Sequence, residues 1–418
     1  MKTFEIIGGN TLSGTITIGG AKNDVVSLIP AALLSNEQVE ITNVPGISDV
    51  NAIFAILTFL GAKYKKEQDR LVIDASMMNN LPIPESIASR FRASYYFMGV
   101  LLAKYNHVEI SLPGGCNIGT RPIDLHLKGF EALGAKIKQD KNTLIITAEE
   151  LKGSDIYLDF PSVGATINIM LAATKAKGKT VINNAAKEPE IVNLANLLIK
   201  MGAKIYGAGT DTITIEGVEY LRSVKHEIIP DRIEAGTYLI LGALRGENLV
   251  IKNVIPEHLE ALLSKLKEVG ADFEVKGDSI IISATDSYRA CDIYTGVYPG
   301  FPTDLQQPFL TLLTQCRGSA EIEENIYESR FQNATYLNEM GAKINVQGKK
   351  ALVEGPSKLF GAKVVATDLR AGACLILAAL IAEGKSTIID IEHILRGYED
   401  IVAKLTAVGA DIKIVGND

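Results

Sequence analysis

Apolar residues recur at helical spacing over six segments, 50–60, 125–133, 191–201, 258–269, 334–340 and 400–408. Each runs directly into Gly-Ala and then into alternating, β-branched residues. The first period predicts an amphipathic helix and the second a half-buried strand. Glycine suits the junction because the residue ending a helix often adopts the left-handed region, which glycine enters without strain. The junctions read FLGAKYKK, ALGAKIKQ, KMGAKIYG, EVGADFEV, EMGAKINV and AVGADIKI, and their glycines, Gly61, Gly134, Gly202, Gly270, Gly341 and Gly409, lie 68 to 73 residues apart. One such tripeptide carries no information, but six in register define an internal repeat.

A second landmark precedes each junction. A long apolar helix, such as Asn23 to Leu34, Ala165 to Ala173 or Leu369 to Ala382, enters a short turn and a strand: SNEQVEIT, YNHVEISL, KGKTVINN, RGENLVIK, RGSAEIEE and EGKSTIID. The unit reads strand, helix, strand, helix, then a two-stranded hairpin. At about 70 residues it exceeds the ~20–50 of most stacked repeats, so three units to a domain and two α/β domains are expected. The break falls near 226–230, where the pattern restarts.

Composition narrows the function. With 418 residues, 47% hydrophobic and 22% charged, the chain can bury large cores, and its net charge of −7 lacks the basic footprint of a nucleic-acid binder. The four cysteines form no CxxC pair and the histidines show no ligand spacing, so neither a disulfide framework nor a metal site is indicated. The amino-terminal residues lack an apolar signal core, and the longest apolar stretch, 371–382, is short of the ~20 residues that a membrane span needs. A cytoplasmic protein without membrane insertion is expected.

Of 12 arginines, Arg92, Arg121, Arg232, Arg330, Arg370 and Arg396 sit at helix starts or in loops after the repeated strands. Guanidinium groups at helix amino termini suit a small polyanion, although pairing with Asp124, Asp231, Glu234, Asp368 or Glu399 is the alternative, above all for Arg232. The loop LPGGCNIGTRPIDLH places Cys116 among glycines and near Arg121, where a lowered thiol pKa favours proton transfer or covalent chemistry. Cys291, Cys316 and Cys374 read as core packing. Lys22, after Gly20-Ala21, opens an apolar helix where it can meet a phosphate, and Asp304 lies at another helix start, where an N-cap role is the alternative. No P-loop or strand-linked GxGxxG supports ATP or dinucleotide binding.

These motifs, GAKN (20–23), LPGGCNIGTRPIDLH (112–126), FPSVGAT (160–166), PDRIEAGT (230–237), FPTDLQ (301–306), ESRF (328–331), TDLRA (367–371) and HILRGYE (393–399), resemble the UDP-N-acetylglucosamine 1-carboxyvinyltransferase (MurA) family of EPSP synthase-like enolpyruvyl transferases. The resemblance spans essentially the whole chain. It implies two inside-out α/β barrel domains of three repeats each, 22–229 and 1–21 plus 230–418, with substrates between them and no cofactor or metal. The implied partners are phosphoenolpyruvate and UDP-N-acetylglucosamine, and the implied reaction moves the enolpyruvyl group to the sugar 3′-hydroxyl with loss of phosphate, the first committed step of peptidoglycan synthesis.

By the same resemblance Cys116 is the acid that protonates the methylene carbon, and it is the residue alkylated by fosfomycin. Lys22, Arg121 and Arg396 hold the phosphate and carboxylate, with Arg92, Arg330 and Arg370 in support. Asn23 contacts the reacting centre and Asp304 orients, and deprotonates, the hydroxyl. Arg121, Pro122, Ile123, Asp124 and Leu125, with Ser162, Val163, Gly164 and Ile326, bind the nucleotide sugar, and Asp368 joins the substrate-binding set. Phe160 stands where some members carry Lys, so that diphosphate contact is not carried over. Two alternatives stay open: the sister synthase acting on shikimate 3-phosphate, and a non-catalytic nucleotide-sugar-binding paralogue.

Overall fold

The computed structural model describes residues 2–90, 92–112 and 122–416. Their strands form six sheets, five of four strands and one of three, one for each repeat of the sequence. In a representative sheet Ile293–Tyr294 runs parallel to Gly318–Glu323, which pairs antiparallel with Lys350–Gly355, itself the partner of Lys343–Gln347. Where only three strands form, the parallel position is reduced to a single bridge between Ile83 and Ile110.

The six junction glycines all have positive φ, between 78° and 113°. At Gly202, the residue that ends the Pro189–Met201 helix, φ is 112°, a conformation that a Cβ would strain. The helix expected over 258–269 divides in two. Pro256 opens a separate 3-10 turn, Pro256–Leu259, and the α-helix proper is Glu260–Val269.

The chain forms two compact units, one of the described residues 20–112 and 122–229, the other of 2–19 and 230–416. Each has its own hydrophobic core. In the second unit the core is built on three helices, Arg232–Arg245, Thr303–Leu313 and Leu369–Ile381, which are buried on nearly every side and carry polar Glu234, Thr237, Gln306, Gln307 and Thr311 inward with their apolar residues. In the first unit Lys22–Ala32, Tyr96–Tyr105 and Val163–Ala173 take that place. The sheets alternate buried and solvent-facing residues, as Ser279–Ser283 does, so they enclose the helices. The remaining helices lie half-buried, Glu260–Val269 hiding only Leu262, Leu266 and Val269.

Strands are exchanged along the chain. Thr15–Thr17 pairs in parallel with Leu249–Lys252, whereas Val224–Glu227 pairs in parallel with Val39–Thr42. Thr3–Ile7 inserts between Lys385–Ile389 and Asp411–Val415, completing the last sheet. None of the described helices is long and apolar enough to cross a membrane.

Candidate active site

Several of the residues singled out from the sequence, Lys22, Asn23, Ser162, Val163, Gly164, Asp304, Asp368 and Arg370, lie at the amino-terminal ends of the buried helices of their own units. In the unit holding 230–416, Asp304 lies in the first turn of Thr303–Leu313, whose N-cap is Pro302, so it is not the cap itself. Its Oδ1 accepts from Arg330 Nη2 at 2.7 Å and its Oδ2 from Arg370 Nη2 at 3.1 Å. Both arginines are 2% exposed, whereas the carboxylate side chain is 25% exposed. Burial opposes ionisation, but the attraction of Arg370 and Arg330 outweighs it and holds the Asp304 carboxyl well below the usual range. Each guanidinium also rests on an aromatic face, Arg330 5.1 Å from the Tyr327 ring centre and Arg370 5.5 Å from that of Tyr398.

Two of the carboxylates that the sequence offers as arginine partners also cap helices. Asp231 caps Arg232–Arg245, its Oδ1 accepting from the N–H groups of Ile233 and Glu234 at 2.8 and 3.0 Å. Asp368 caps Leu369–Ile381 in the same way, accepting from Arg370 and Ala371. Glu234 is held by Lys404, and Arg232 lies over the ring of Tyr298 at 5.5 Å. Arg396 directly follows the short helix Glu392–Leu395. Ile326 sits in a tight loop organised by Glu324, whose Oε1 accepts its N–H at 2.9 Å.

In the other unit Lys22 is the first residue of its helix, followed by Asn23, and its Nζ lies 3.2 Å from Asp49 Oδ2. Arg92 opens the 3-10 turn that leads into Tyr96–Tyr105. Ser162 caps Val163–Ala173, accepting from Ala165 N at 3.2 Å. Gly164 follows in the first turn, so close to the His126 ring that an added Cβ would lie 2.8 Å from Cε1. The structure thus joins segment 162–164 to segment 122–126.

His126 is buried, and burial, then the charge of Arg92, pushes its pKa down to about 3. Asn168 fixes its tautomer. Asn168 Oδ1 accepts from Gly99 N, so its Nδ2 faces both Tyr95 O and His126 Nδ1 as a donor. Nδ1 is therefore the acceptor and the proton resides on Nε2.

Cys116 and Arg121 lie outside the described residues. The three described cysteines, Cys291, Cys316 and Cys374, are buried. Among the described residues no cluster of three His, Cys, Asp or Glu side chains could hold a metal ion. The sequence reading did not single out Glu324, His126 or Tyr398. For Glu324 a signal existed: Ala320 and Ile322 face inward, and the same alternation carries Glu324, a charged residue, inward.

An assembly of helix amino termini, buried arginines and one ionised, partly exposed carboxylate can hold an anion while orienting a hydroxyl. Comparison with known proteins gives the class, the enolpyruvyl transferases. A family model described as EPSP synthase (3-phosphoshikimate 1-carboxyvinyltransferase) matches residues 6–405. The enolpyruvyl transferase NikO from Streptomyces tendae superposes with a TM-score of 0.92 at 26% identity, covering 100% of this chain and 99% of that one. EPSP synthase from Acinetobacter baumannii shares the fold, with a TM-score of 0.76 at 18% identity over the full length of both chains.

Two relatives are much nearer in sequence. UDP-N-acetylglucosamine 1-carboxyvinyltransferase 2 of Listeria monocytogenes is 52% identical over 407 residues, 97% of this chain and 96% of its own length. The protein of the same name from Geobacillus kaustophilus is 51% identical over 412 residues, 99% of this chain and 96% of its own. The chain belongs to the EPSP synthase family and, within it, to the UDP-N-acetylglucosamine 1-carboxyvinyltransferases.

Proposed function

We propose that this protein transfers the enolpyruvyl group of phosphoenolpyruvate to the 3′-hydroxyl of UDP-N-acetylglucosamine and releases phosphate, the first committed step of peptidoglycan synthesis, in the cytoplasm. The observation that carries the reading is the full-length likeness, at 52% identity, to a Listeria protein of that name. The Asp304 geometry adds to it, because the reaction needs an oriented hydroxyl beside cations that hold a phosphate and a carboxylate.

The reaction is an addition followed by an elimination. Cys116 delivers a proton to the methylene carbon while the sugar oxygen bonds to the adjacent carbon, giving a tetrahedral adduct. Loss of a methyl proton then restores the double bond as the carbon–phosphate oxygen bond breaks. The proton lost from the methyl group replaces the one that Cys116 gave, and the hydroxyl proton leaves on the departing phosphate. Lys22, Arg121 and Arg396 hold the phosphoenolpyruvate anions, and Arg92 adds positive field. Asn23 contacts the reacting centre. Pro122, Ile123, Asp124, Leu125, Ser162, Val163, Gly164 and Ile326 take the nucleotide sugar, with Asp368 supporting by capping its helix.

The arginine pair refines the role of Asp304. A carboxylate held so far below its usual range is a weak base, so its first task is to accept the hydroxyl hydrogen bond and aim the oxygen. It takes the proton only as the carbon–oxygen bond forms and the hydroxyl becomes acidic. Phosphate release measured with each substrate alone, both together, and shikimate 3-phosphate as the other acceptor tests the reading. Release requiring both phosphoenolpyruvate and the nucleotide sugar is expected; turnover with shikimate 3-phosphate and none with the nucleotide sugar would sink it.

A further inference from the structure

Glu324 lies just beyond the strand Gly318–Glu323 and is 2% exposed, yet it carries a carboxylate into the core face of that sheet. Both of its oxygens are committed. Oε1 accepts from Thr295 Oγ1 at 3.0 Å, from Ile326 N at 2.9 Å and from Tyr327 N at 3.2 Å, while Oε2 accepts from Thr303 Oγ1 at 2.9 Å. The same Thr295 hydroxyl accepts from Asn325 N at 2.8 Å, so the whole turn 325–327 is wound on this one pair of side chains.

The bonds have a fixed direction. Thr303 gives its only hydroxyl proton to Glu324, so its oxygen is left to accept, and Arg330 Nη1 donates to it at 3.1 Å. Arg330 Nη2 then donates to Asp304 at 2.7 Å. A continuous network links the turn to the Asp304 carboxylate: Ile326 N–H and Thr303 both donate to Glu324, and Arg330 donates both to Thr303 and to Asp304. The Thr303 oxygen, with two lone pairs, can accept from Arg330 whatever stands at 324, but its proton is held in place only while an acceptor stands there. A neutral amide at 324 keeps one oxygen, a weaker acceptor than a carboxylate oxygen for the Ile326 and Tyr327 N–H groups. Its nitrogen would donate to Thr303 and leave that hydroxyl proton aimed elsewhere.

We infer that Glu324 is a positioning residue that sets two parts of the acceptor subsite at once: the Ile326 turn that meets the nucleotide, and the Asp304 carboxylate that meets the sugar hydroxyl. The inference rests on the function proposed above. Glu324 itself touches no reacting atom. It couples the two by spending one oxygen on the turn and the other on the Thr303–Arg330 arm, so the arms can be cut separately.

The test uses the full chain with Glu324→Gln, Thr303→Ala and Thr303→Ser, measuring kcat and both KM values by phosphate release. Glu324→Gln is expected to raise KM for UDP-N-acetylglucosamine by about tenfold or more and to lower kcat, with KM for phosphoenolpyruvate changed by less than about twofold. Thr303→Ala should lower kcat with little change in nucleotide-sugar KM, and Thr303→Ser, which keeps the hydroxyl, should restore it. A Glu324→Gln enzyme with parental constants, or with both KM values raised alike, would overturn the inference, as would equal rates for the Ala and Ser variants. If Glu324→Gln does not fold, the Thr303 pair still decides. Amide hydrogen exchange over 323–331 reads the turn without turnover: faster exchange at Ile326 and Tyr327 in Glu324→Gln is expected, and unchanged exchange would refute the pin. A parent that releases no phosphate with both substrates would end the proposed function while leaving that exchange result to judge Glu324.

Discussion

Lys404 Nζ lies 2.6 Å from Glu234 Oε1, and the other carboxylate oxygen, Oε2, accepts from the Gly19 N–H at 3.2 Å. Burial raises the Glu234 pKa to about 7 even though Lys404 pulls it down. A carboxyl whose pKa is higher folded than unfolded binds its proton more tightly when folded. Its contribution to stability is therefore present at low pH and is lost as pH rises from the ordinary value of 4.5 through about 7. Melting temperature should show a downward component across that window, and Glu234→Gln should remove it. A parental slope in the variant would assign the effect elsewhere.

The Asp304 arrangement predicts separate losses of rate and stability. Asp304→Asn keeps the size and removes the charge that offsets two buried guanidinium groups, so kcat should fall by about 10²–10⁴-fold. Unfolding free energy should drop too, by up to about 3–5 kcal/mol, because buried charges lose their partner. Denaturant titration beside the phosphate assay checks both. A variant that loses activity with full stability would mean that the arginines do not depend on Asp304.

Gly164 is the point where backbone and His126 ring come closest. A Cβ there would meet ring atoms at 2.8 and 2.9 Å, and the ring is held by Asn168, so it has little freedom to withdraw. Gly164→Ala should destabilise the protein by about 1–3 kcal/mol, the usual cost of overpacking, and raise KM for the nucleotide sugar more than that for phosphoenolpyruvate. Equal melting temperatures and constants would show that the contact yields without consequence.

Alkylation by an epoxide should select one cysteine. Burial pushes Cys291 up to about 11, Cys316 to about 12 and Cys374 to about 11, so these thiols carry almost no thiolate near neutral pH. After treatment with fosfomycin, peptide mass spectrometry should find the adduct on Cys116, and Cys116→Ala should be unmodified and nearly inactive. Modification at one of the buried three, with Cys116 intact, would reverse that assignment.

The repeat was legible because it is local. Six Gly-Ala junctions mark helix ends whose φ values come out positive in every case. The exchanged strands were much harder to place, since Thr15–Thr17 and Val224–Glu227 are three and four residues long and pair with segments distant in the sequence. Site residues could be named from motifs, but their partners could not. Asp304 takes arginines 26 and 66 residues away, while Asp231 and Asp368 cap their helices. Glu324 escaped notice because a lone glutamate after a strand resembles a solvated end until its inward register is counted.

The strand Thr3–Ile7 has a consequence for biosynthesis. Thr3 pairs with Val415 across 412 positions of sequence. At a synthesis rate of ~5–20 residues per second, the first strand emerges roughly 20 to 80 s before its neighbour exists. The stretch 20–229 can condense during that interval, whereas the unit containing 230–416 must hold Thr3–Ile7 in reserve until its partner strands are made. Its last sheet is therefore a late folding event, and until 385–389 and 411–415 are made the Thr3–Ile7 edges stay open to a chaperone or a second nascent chain.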